Sequence, residues 1–91
     1  MIFEWDSNKD RINIAKHGLS FEQAKEIFSI QSTLFIADEI VEGEERWKAV
    51  GTIDGHRYIL VIHTYCDDNG IEVVRIISAR KLKAKEVKKW L

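Results

Sequence analysis

Apolar positions recur with two different periods along the chain, which divide it into a helical N-terminal part, a β-rich middle and a helical end. Residues 2–5 form a short run that predicts a strand. Further on, Ser20 is followed three residues later by Gln23, a spacing typical of a capping box. The apolar residues after this box recur at helical spacing and predict a second helix; they are Phe21, Ala24, Ile27 and Phe28.

A first helix is predicted between these two elements. Asp6 or Ser7 can accept the unpaired N–H groups at its start. Its last turn, near Lys16, carries cations that complement the helix dipole, and Gly18 favours a left-handed stop. The two apolar positions that we expect on its inner face are Ile12 and Ala15.

The middle of the chain predicts an antiparallel meander. Asp54-Gly55 and Asn69-Gly70 are strong signals for tight hairpin turns, whereas the acidic stretch 38–45 is interpreted as a solvated loop. A basic helix is expected over residues 82–91. The predicted strands cover residues 33–37, 46–53, 57–65 and 71–79. The fold class is therefore predicted as α+β, in one domain over residues 1–91.

Charge is distributed unevenly. Residues 1–74 hold 7 Lys and Arg against 14 Asp and Glu, while residues 75–91 hold 7 basic residues against Glu86 alone. Such a basic segment attracts polyanions even when the net charge of the chain is −1. The alternative is that its lysines only solvate one face of the last helix.

Cysteine content and hydropathy exclude several classes of protein. Cys66 is the single cysteine, so the chain has no internal disulfide and no zinc-type cysteine cluster. No basic, apolar leader and no stretch of about 20 apolar residues is present, so neither a signal peptide nor a membrane span is expected. The expectation is a cytoplasmic protein without a metal or other cofactor.

The run from Arg75 to Lys81 contains the clearest candidate chemistry. Its centre is apolar on both faces, and polar groups follow only at its carboxyl end, as expected for a strand that reaches the rim of a domain. Arg80 offers a planar fork of donors that matches a phosphate, with Ser78 beside it. The sequence therefore predicts an anion site, with phosphate as the leading ligand.

Several of these features, in their order along the whole chain, resemble the BrnT family of bacterial toxins. The features are Trp5-Asp6, Lys9, Asn13, Lys16-His17-Gly18, Phe21, Ala24, Arg46, Gly51, Ile77-Ser78-Ala79-Arg80 and Glu86. The resemblance implies a RelE-like fold, with a short N-terminal strand and two helices packed on the meander. It also implies a type II toxin: a metal-independent endoribonuclease that inhibits translation. The implied partner is a BrnA-like antitoxin with a ribbon-helix-helix DNA-binding domain, in a hetero-oligomer that contacts DNA only through the antitoxin.

Catalytic residues can be assigned from what such a reaction needs. Attack by a ribose 2′-hydroxyl requires proton transfer at two oxygens and stabilisation of the phosphorane charge. Arg46 and Arg80 are the candidates for charge stabilisation. His17 is either a general acid or base or a packing residue at the helix end, and Lys16 either holds a phosphate or only complements the helix dipole. Glu86 either moves a proton or, as we favour, orients Arg80 through an ion pair.

RNA contacts are expected from residues around these groups: Trp47, Arg57, Ser78, Lys81 and Lys83. Trp47 either stacks on a base or packs internally. Ser78 either donates to phosphate or caps a backbone group. His63 either faces a cleft or is a hydrogen-bonded residue of the sheet, and the acidic stretch 38–45 either repels RNA or receives a basic antitoxin. The alternative function is a non-catalytic module that uses its basic C-terminal helix to bind RNA or a partner protein.

Overall fold

The computed structural model describes residues 1–54 and 57–90, apart from the side chain of Asp68. This part of the chain forms five strands, three α-helices and one 3-10 helix. In chain order the elements are β1 (Ile2–Glu4), α1 (Ser7–His17), α2 (Phe21–Ala24), the 3-10 helix (Lys25–Ser29), β2 (Leu34–Val41), β3 (Glu44–Ile53), β4 (Arg57–Asp68), β5 (Ile71–Lys81) and α3 (Ala84–Trp90). The α+β class predicted from the sequence is confirmed.

The strands form one sheet in the order β1-β5-β4-β3-β2. β2 to β5 are antiparallel neighbours, as the meander prediction required, and β1 adds to β5 in parallel. The interpretation of residues 38–45 as a loop was wrong. β2 continues to Val41 and β3 starts at Glu44, because Ile40 and Val41 pair with Glu45 and Glu44, while residues 38 and 39 lie at an irregularity in the pairing.

Two-residue turns close the hairpins at one end of the sheet. Glu42-Gly43 joins β2 to β3 and Asn69-Gly70 joins β4 to β5, and all four residues have positive φ. The Asn69-Gly70 prediction is thereby confirmed. Gly55 of the predicted Asp54-Gly55 turn and Leu91 of the predicted last helix lie outside the described residues.

One face of the sheet, the helical face, is covered by α2 and the 3-10 helix. Ser20 and Gln23 form the predicted capping box, which starts α2 at Phe21. The 3-10 helix and the segment that follows it approach β3 closely: a Cβ on Gly51 would lie 3.2 Å from Ile27 Cβ and 2.6 Å from Thr33 Oγ1. The buried core between these layers contains Leu19, Phe21, Ala24, Ile27, Ala49, Ile53, Ile59, Val61, Val74, Ile76 and Ala79.

Helix α1 is capped as predicted but faces the sheet with different residues. The Asp6 carboxylate accepts from the N–H groups of Asn8 and Lys9, and Gly18 ends the helix in the left-handed region. Ile12 and Ala15 are exposed, so the inner face assigned to them was wrong. The residue that this helix buries is Asn13.

Asn13 attaches α1 to the edge of β5. Its Nδ2 donates to the carbonyls of Leu19 (2.9 Å) and Ala79 (2.7 Å), and its Oδ1 accepts from the N–H of Ala79 at 3.2 Å. Because β1 pairs only with Val73 to Arg75, these bonds satisfy β5 groups that have no strand beside them.

A one-residue bulge interrupts β5. Ile62 faces Ser78 and His63 faces Ile76, which leaves Ile77 without a partner on β4. Strict alternation would put Arg75 and Arg80 on opposite faces, since they are five positions apart. The bulge resets the alternation, so Ile76 and Ala79 both enter the core while Arg75 and Arg80 share the other face.

Helix α3 lies against this second face, where the side chain of Lys48 reaches to 5.5 Å from the ring of Trp90. α3 buries none of its side chains fully. None of the helices in the described residues is long and apolar enough to cross a membrane.

Candidate nucleic-acid interface

The face of the sheet opposite α2 carries four basic side chains, and we call it the cationic face. Arg46 and Lys48 reach it by alternation along β3, and Arg75 and Arg80 reach it because of the bulge at Ile77. Arg75 lies opposite Thr64 of β4 and forms an ion pair with Glu44. The structure therefore brings together two of the predicted arginines, Arg46 and Arg80, on one surface.

Arg80 is held by Glu86 through a two-point ion pair. Nη1 and Nη2 of Arg80 donate to the two carboxylate oxygens of Glu86 at 3.1 and 2.9 Å. The hydrogen bonds from Arg80 are the main reason why the pKa of Glu86 falls to about 2. Glu86 is thus an ionised acceptor at neutral pH, as the orienting role predicted from the sequence requires.

Within the described residues, no hydrogen bond from Arg80 Nε accompanies this ion pair. A guanidinium has two edges that can bind an oxyanion with two hydrogen bonds, one formed by Nη1 and Nη2 and one by Nε and an Nη. Glu86 occupies the first edge. The Nε edge remains for a phosphate, so the ion pair fixes the direction of the fork without blocking it.

Glu86 also fixes the start of α3. Its Oε1 accepts from the backbone N–H of Lys83 at 3.1 Å, which satisfies a donor that the helix leaves unpaired. The side chain of Lys83 is exposed. One carboxylate therefore joins the end of β5 to the helix that carries the lysines.

Lys48 was missed by the sequence analysis. It stands opposite Ile62, which in turn faces Ser78, so Lys48 and Ser78 occupy one row across the cationic face. Its ammonium lies 3.4 Å from Asp38 and against the Trp90 ring. Alternation from Arg46 was the signal that could have found it, because residues two apart in a strand share a face.

Arg46 and Arg80 are too far apart along the strands to share one phosphate. Arg80 lies in the row of Leu60 and Val50, four residues beyond Arg46, which is about 13 Å along β3. Arg46 Nε is buried and has no hydrogen-bond partner in the described structure. The two arginines can therefore contact different phosphates of one strand.

Lys16, His17 and Lys81 lie around the end of β5 on its other side. Lys81 follows Arg80 and lies opposite Ile59, so it points to the helical face. Its Nζ is 3.8 Å from the position that a Cβ on Gly18 would take. The Lys16-His17-Gly18 turn is thus adjacent to Lys81, while Arg80 points away from it. His17 is half-buried and Lys16 is exposed.

Trp47 and Arg57 do not share the cationic face. In β3 and β4 they alternate with its residues and point to the helical face, where Trp47 packs edge-on against Tyr65. His63 lies on that face too, and both expectations for it were wrong. It is fully buried among Phe28, Phe35 and Tyr65, and neither ring nitrogen makes a hydrogen bond within the described structure.

Comparison with known proteins assigns the chain to a family. The family model described as "Ribonuclease toxin, BrnT, of type II toxin-antitoxin system" matches residues 5–86. The chain belongs to the BrnT family of ribonuclease toxins. The matched range contains every candidate site residue from Lys16 to Glu86, and the resemblance noted in the sequence is confirmed.

A solved structure of the same family supports the assignment. The crystal structure of the Brucella abortus ribonuclease toxin BrnT is 30% identical to this chain and superposes with a TM-score of 0.70. The superposition covers 91% of this chain and 99% of the Brucella chain. A search of curated proteins gave no match. The five-stranded sheet and its helices are therefore a BrnT fold.

Proposed function

We propose that this BrnT-family protein is a metal-independent endoribonuclease that cleaves RNA with its own 2′-hydroxyl as nucleophile and thereby inhibits translation. The observation that carries the proposal is the oriented Arg80 fork at the end of β5, with a free Nε edge beside the exposed lysines of α3. A fixed guanidinium stabilises charge that develops on a phosphorane without having to reorganise. Family membership supplies the RNA substrate.

Each further candidate has a role that suits its position. Arg80 binds the scissile phosphate, Ser78 donates to one of its oxygens, and Arg46 and Lys48 hold neighbouring phosphates along the cationic face. Glu86 positions Arg80. His17 is proposed as the acid or base; because it lies on the other side of the end of β5 from the Arg80 guanidinium, the RNA strand has to pass around this end, with Lys16 and Lys81 holding it there.

Three further residues are proposed as RNA contacts outside the group around Arg80. Lys83 extends the cationic surface at the start of α3, where its ammonium is exposed. Trp47 and Arg57 lie on the helical face, so they contact RNA only if the strand passes around the edge of the sheet. The proposed setting is the cytoplasm, where a BrnA-like antitoxin with a ribbon-helix-helix domain binds the toxin as a hetero-oligomer and connects it to DNA.

Cleavage of a labelled RNA in EDTA tests the proposal. We expect wild-type protein to cut the RNA with chelator present, and Arg80→Ala to lose at least 100-fold in rate, a typical effect of removing one donor to a charged transition state. Arg11→Ala is the matched control, because the Arg11 guanidinium bonds only to Asn8 in the described structure. The proposal would be contradicted if folded wild-type protein left the RNA uncut, or if Arg80→Ala cut it as fast as the wild type.

The alternative of a non-catalytic binding module gives a different result in the same assay. Such a protein would bind the RNA with steep salt dependence and leave it uncut. The basic α3 alone is compatible with that outcome. The Glu86-oriented fork favours cleavage, since simple binding does not need a guanidinium of fixed direction.

A further inference from the structure

Aromatic side chains form an exposed cluster on the helical face, beyond the 3-10 helix. Phe35, Trp47 and Tyr65 surround the buried His63, with ring centroids 4.9 to 6.1 Å apart. Phe35 and Tyr65 are 41% and 37% exposed. Ile40, at 71%, extends the apolar area along β2. We call these four residues, Phe35, Ile40, Trp47 and Tyr65, the aromatic patch. Exposed apolar surface of this kind marks a docking site more often than a free surface.

The rim of the aromatic patch is acidic. The turns between β2 and β3 and between β4 and β5 lie at this end of the sheet, and residues 38–45 and 66–72 contain 8 acidic residues and no basic one. Glu45 lies opposite Ile40, and Glu72 is close enough to Tyr65 to add to the rise in the pKa of its hydroxyl that burial causes. Negative charge therefore borders the patch.

Within the described residues, no ion pair joins the acids of the rim to a cation on the same side as the aromatic patch. The two rim acids that form ion pairs in the described structure, Asp38 and Glu44, do so with Lys48 and Arg75 on the cationic face. Asp67 and Glu72 lie directly opposite each other across β4 and β5, a like-charge pair that destabilises the hairpin until a cation approaches. Burial lowers the pKa of His63 to about 4, so its ring adds no positive charge at neutral pH.

We propose that the aromatic patch is the docking site for a cationic amphipathic segment of the protein antitoxin. Apolar side chains of that segment would cover Trp47 and Tyr65, and its Lys or Arg residues would pair with Glu45 and Glu72. RNA is disfavoured here because its phosphates would meet the acidic rim. The inference depends on the proposed function only for the nature of the partner, and it places partner binding at the hairpin end of the helical face, away from Arg80 and the cationic face.

Charge reversal at the rim tests the docking site. The toxin is expressed together with the product of the reading frame that adjoins its gene, and the affinity of the purified pair is measured by calorimetry. We expect Glu45→Lys with Glu72→Lys, and separately Ile40→Lys, to weaken the complex at least tenfold. Ile71→Lys and Ile12→Lys are matched controls: Ile71 is exposed at the same end of the sheet but on the cationic face, and Ile12 is exposed on α1.

Hydrogen exchange of the complex provides the second measurement. Protection is expected in residues 34–41, 44–48 and 63–66, together with unchanged RNA cleavage by each free variant. Equal affinity of the rim variants, protection confined to α3, failure of the two proteins to form a complex, or protection of the patch by RNA instead would each overturn the proposal. If the complex shows the expected footprint while the free toxin leaves RNA intact, the proposed enzymatic function fails and the docking site stands.

Discussion

Asn13 bonds to both backbone groups of Ala79, the residue that precedes Arg80. A side-chain amide carries a donor and an acceptor in the same arrangement as a peptide group, so it can take the place of a neighbouring strand at the edge of β5. The bonds are buried. They fix the strand end from which the candidate phosphate ligand projects, and α1 thereby contributes to the site without touching RNA.

Replacing Asn13 should therefore destabilise the protein. Asn13→Ala leaves the N–H and C=O of Ala79 and the C=O of Leu19 without their partners, and we expect a loss of about 2–4 kcal/mol in the free energy of unfolding. Urea denaturation measures this loss. Asn8→Ala, an exposed substitution on the same helix, should change the free energy by less than about 0.5 kcal/mol. Equal stability of the two variants would show that the Asn13 bonds contribute nothing.

Gly51 is predicted to be intolerant of any side chain. A Cβ there would meet Thr33 Oγ1, which is itself held by a 2.7 Å bond to the carbonyl of Ile27. Gly51→Ala should cost about 1–3 kcal/mol in thermal or urea unfolding. Thr33→Ala removes the obstructing oxygen, so the double variant should lose less than the sum of the two single changes. If the losses of the two single variants simply added in the double variant, the contact with Thr33 Oγ1 would not be the cause of the destabilisation by Gly51→Ala.

Because His63 is buried, we expect the folded protein to lose stability in acid. The unfolded imidazole takes up its proton near pH 6.5, whereas burial keeps the folded one neutral until about pH 4. The unfolded state therefore binds more protons in this window, and stability that is complete above pH 6.5 should fall by about 2–3 kcal/mol as the pH decreases to 4. Urea titrations at several pH values, compared with His63→Leu, isolate this contribution because the carboxylates are common to both proteins. If the stability of wild type and of His63→Leu fell in parallel with pH, His63 would not be the source of the loss.

Glu86 should act as a positioning residue and not as a proton donor. With its pKa near 2 it remains a carboxylate across the working pH range, so Glu86→Gln should lower kcat about tenfold without moving the pH profile of cleavage. Glu86→Ala should lower kcat further than Glu86→Gln does, since Gln retains one acceptor for Arg80. The disappearance of a limb of the pH profile in Glu86→Gln would instead identify Glu86 as an acid or base.

RNA binding should depend on salt through the lysines of the cationic surface. Removing one phosphate contact lowers the slope of log K against log salt concentration by about 0.7 for a single strand. Lys83→Ala should show a reduction of up to that size when binding is measured by fluorescence anisotropy over a salt series. Lys9→Ala, which removes an exposed charge from the first half of α1, should leave the slope unchanged.

Local sequence signals predicted both ends of α1, the start of α2 and the Asn69-Gly70 hairpin. Asp6, Gly18 and the Ser20 and Gln23 pair act within three residues of themselves, so their effects follow from residue type and spacing alone. The ion pair of Arg80 and Glu86 was also predictable, because a strand end and the helix that follows it must lie close together.

Non-local packing explains what the sequence did not reveal. A helix normally docks through apolar residues, yet α1 uses Asn13 because the edge of β5 presents unpaired backbone groups. Residues 40–45 continue the hairpin of β2 and β3 in spite of their acidic side chains, since the pairing of Ile40 with Glu45 and of Val41 with Glu44 depends on the backbone. The faces of Trp47 and Arg80 depend on register, which residue types alone do not specify.

The unpaired Ile77 limits how β5 can vary in length as well as in composition. A strand shortened by this one residue would alternate strictly and would keep Arg75 and Arg80 on one face. An inserted residue that the sheet does not absorb would instead exchange the sides of the residues after it, so that the Arg80 guanidinium would turn towards the apolar interior or Val74 and Ile76 would turn out of it. Insertions between Arg75 and Arg80 should therefore be rarer among relatives than loss of the unpaired residue.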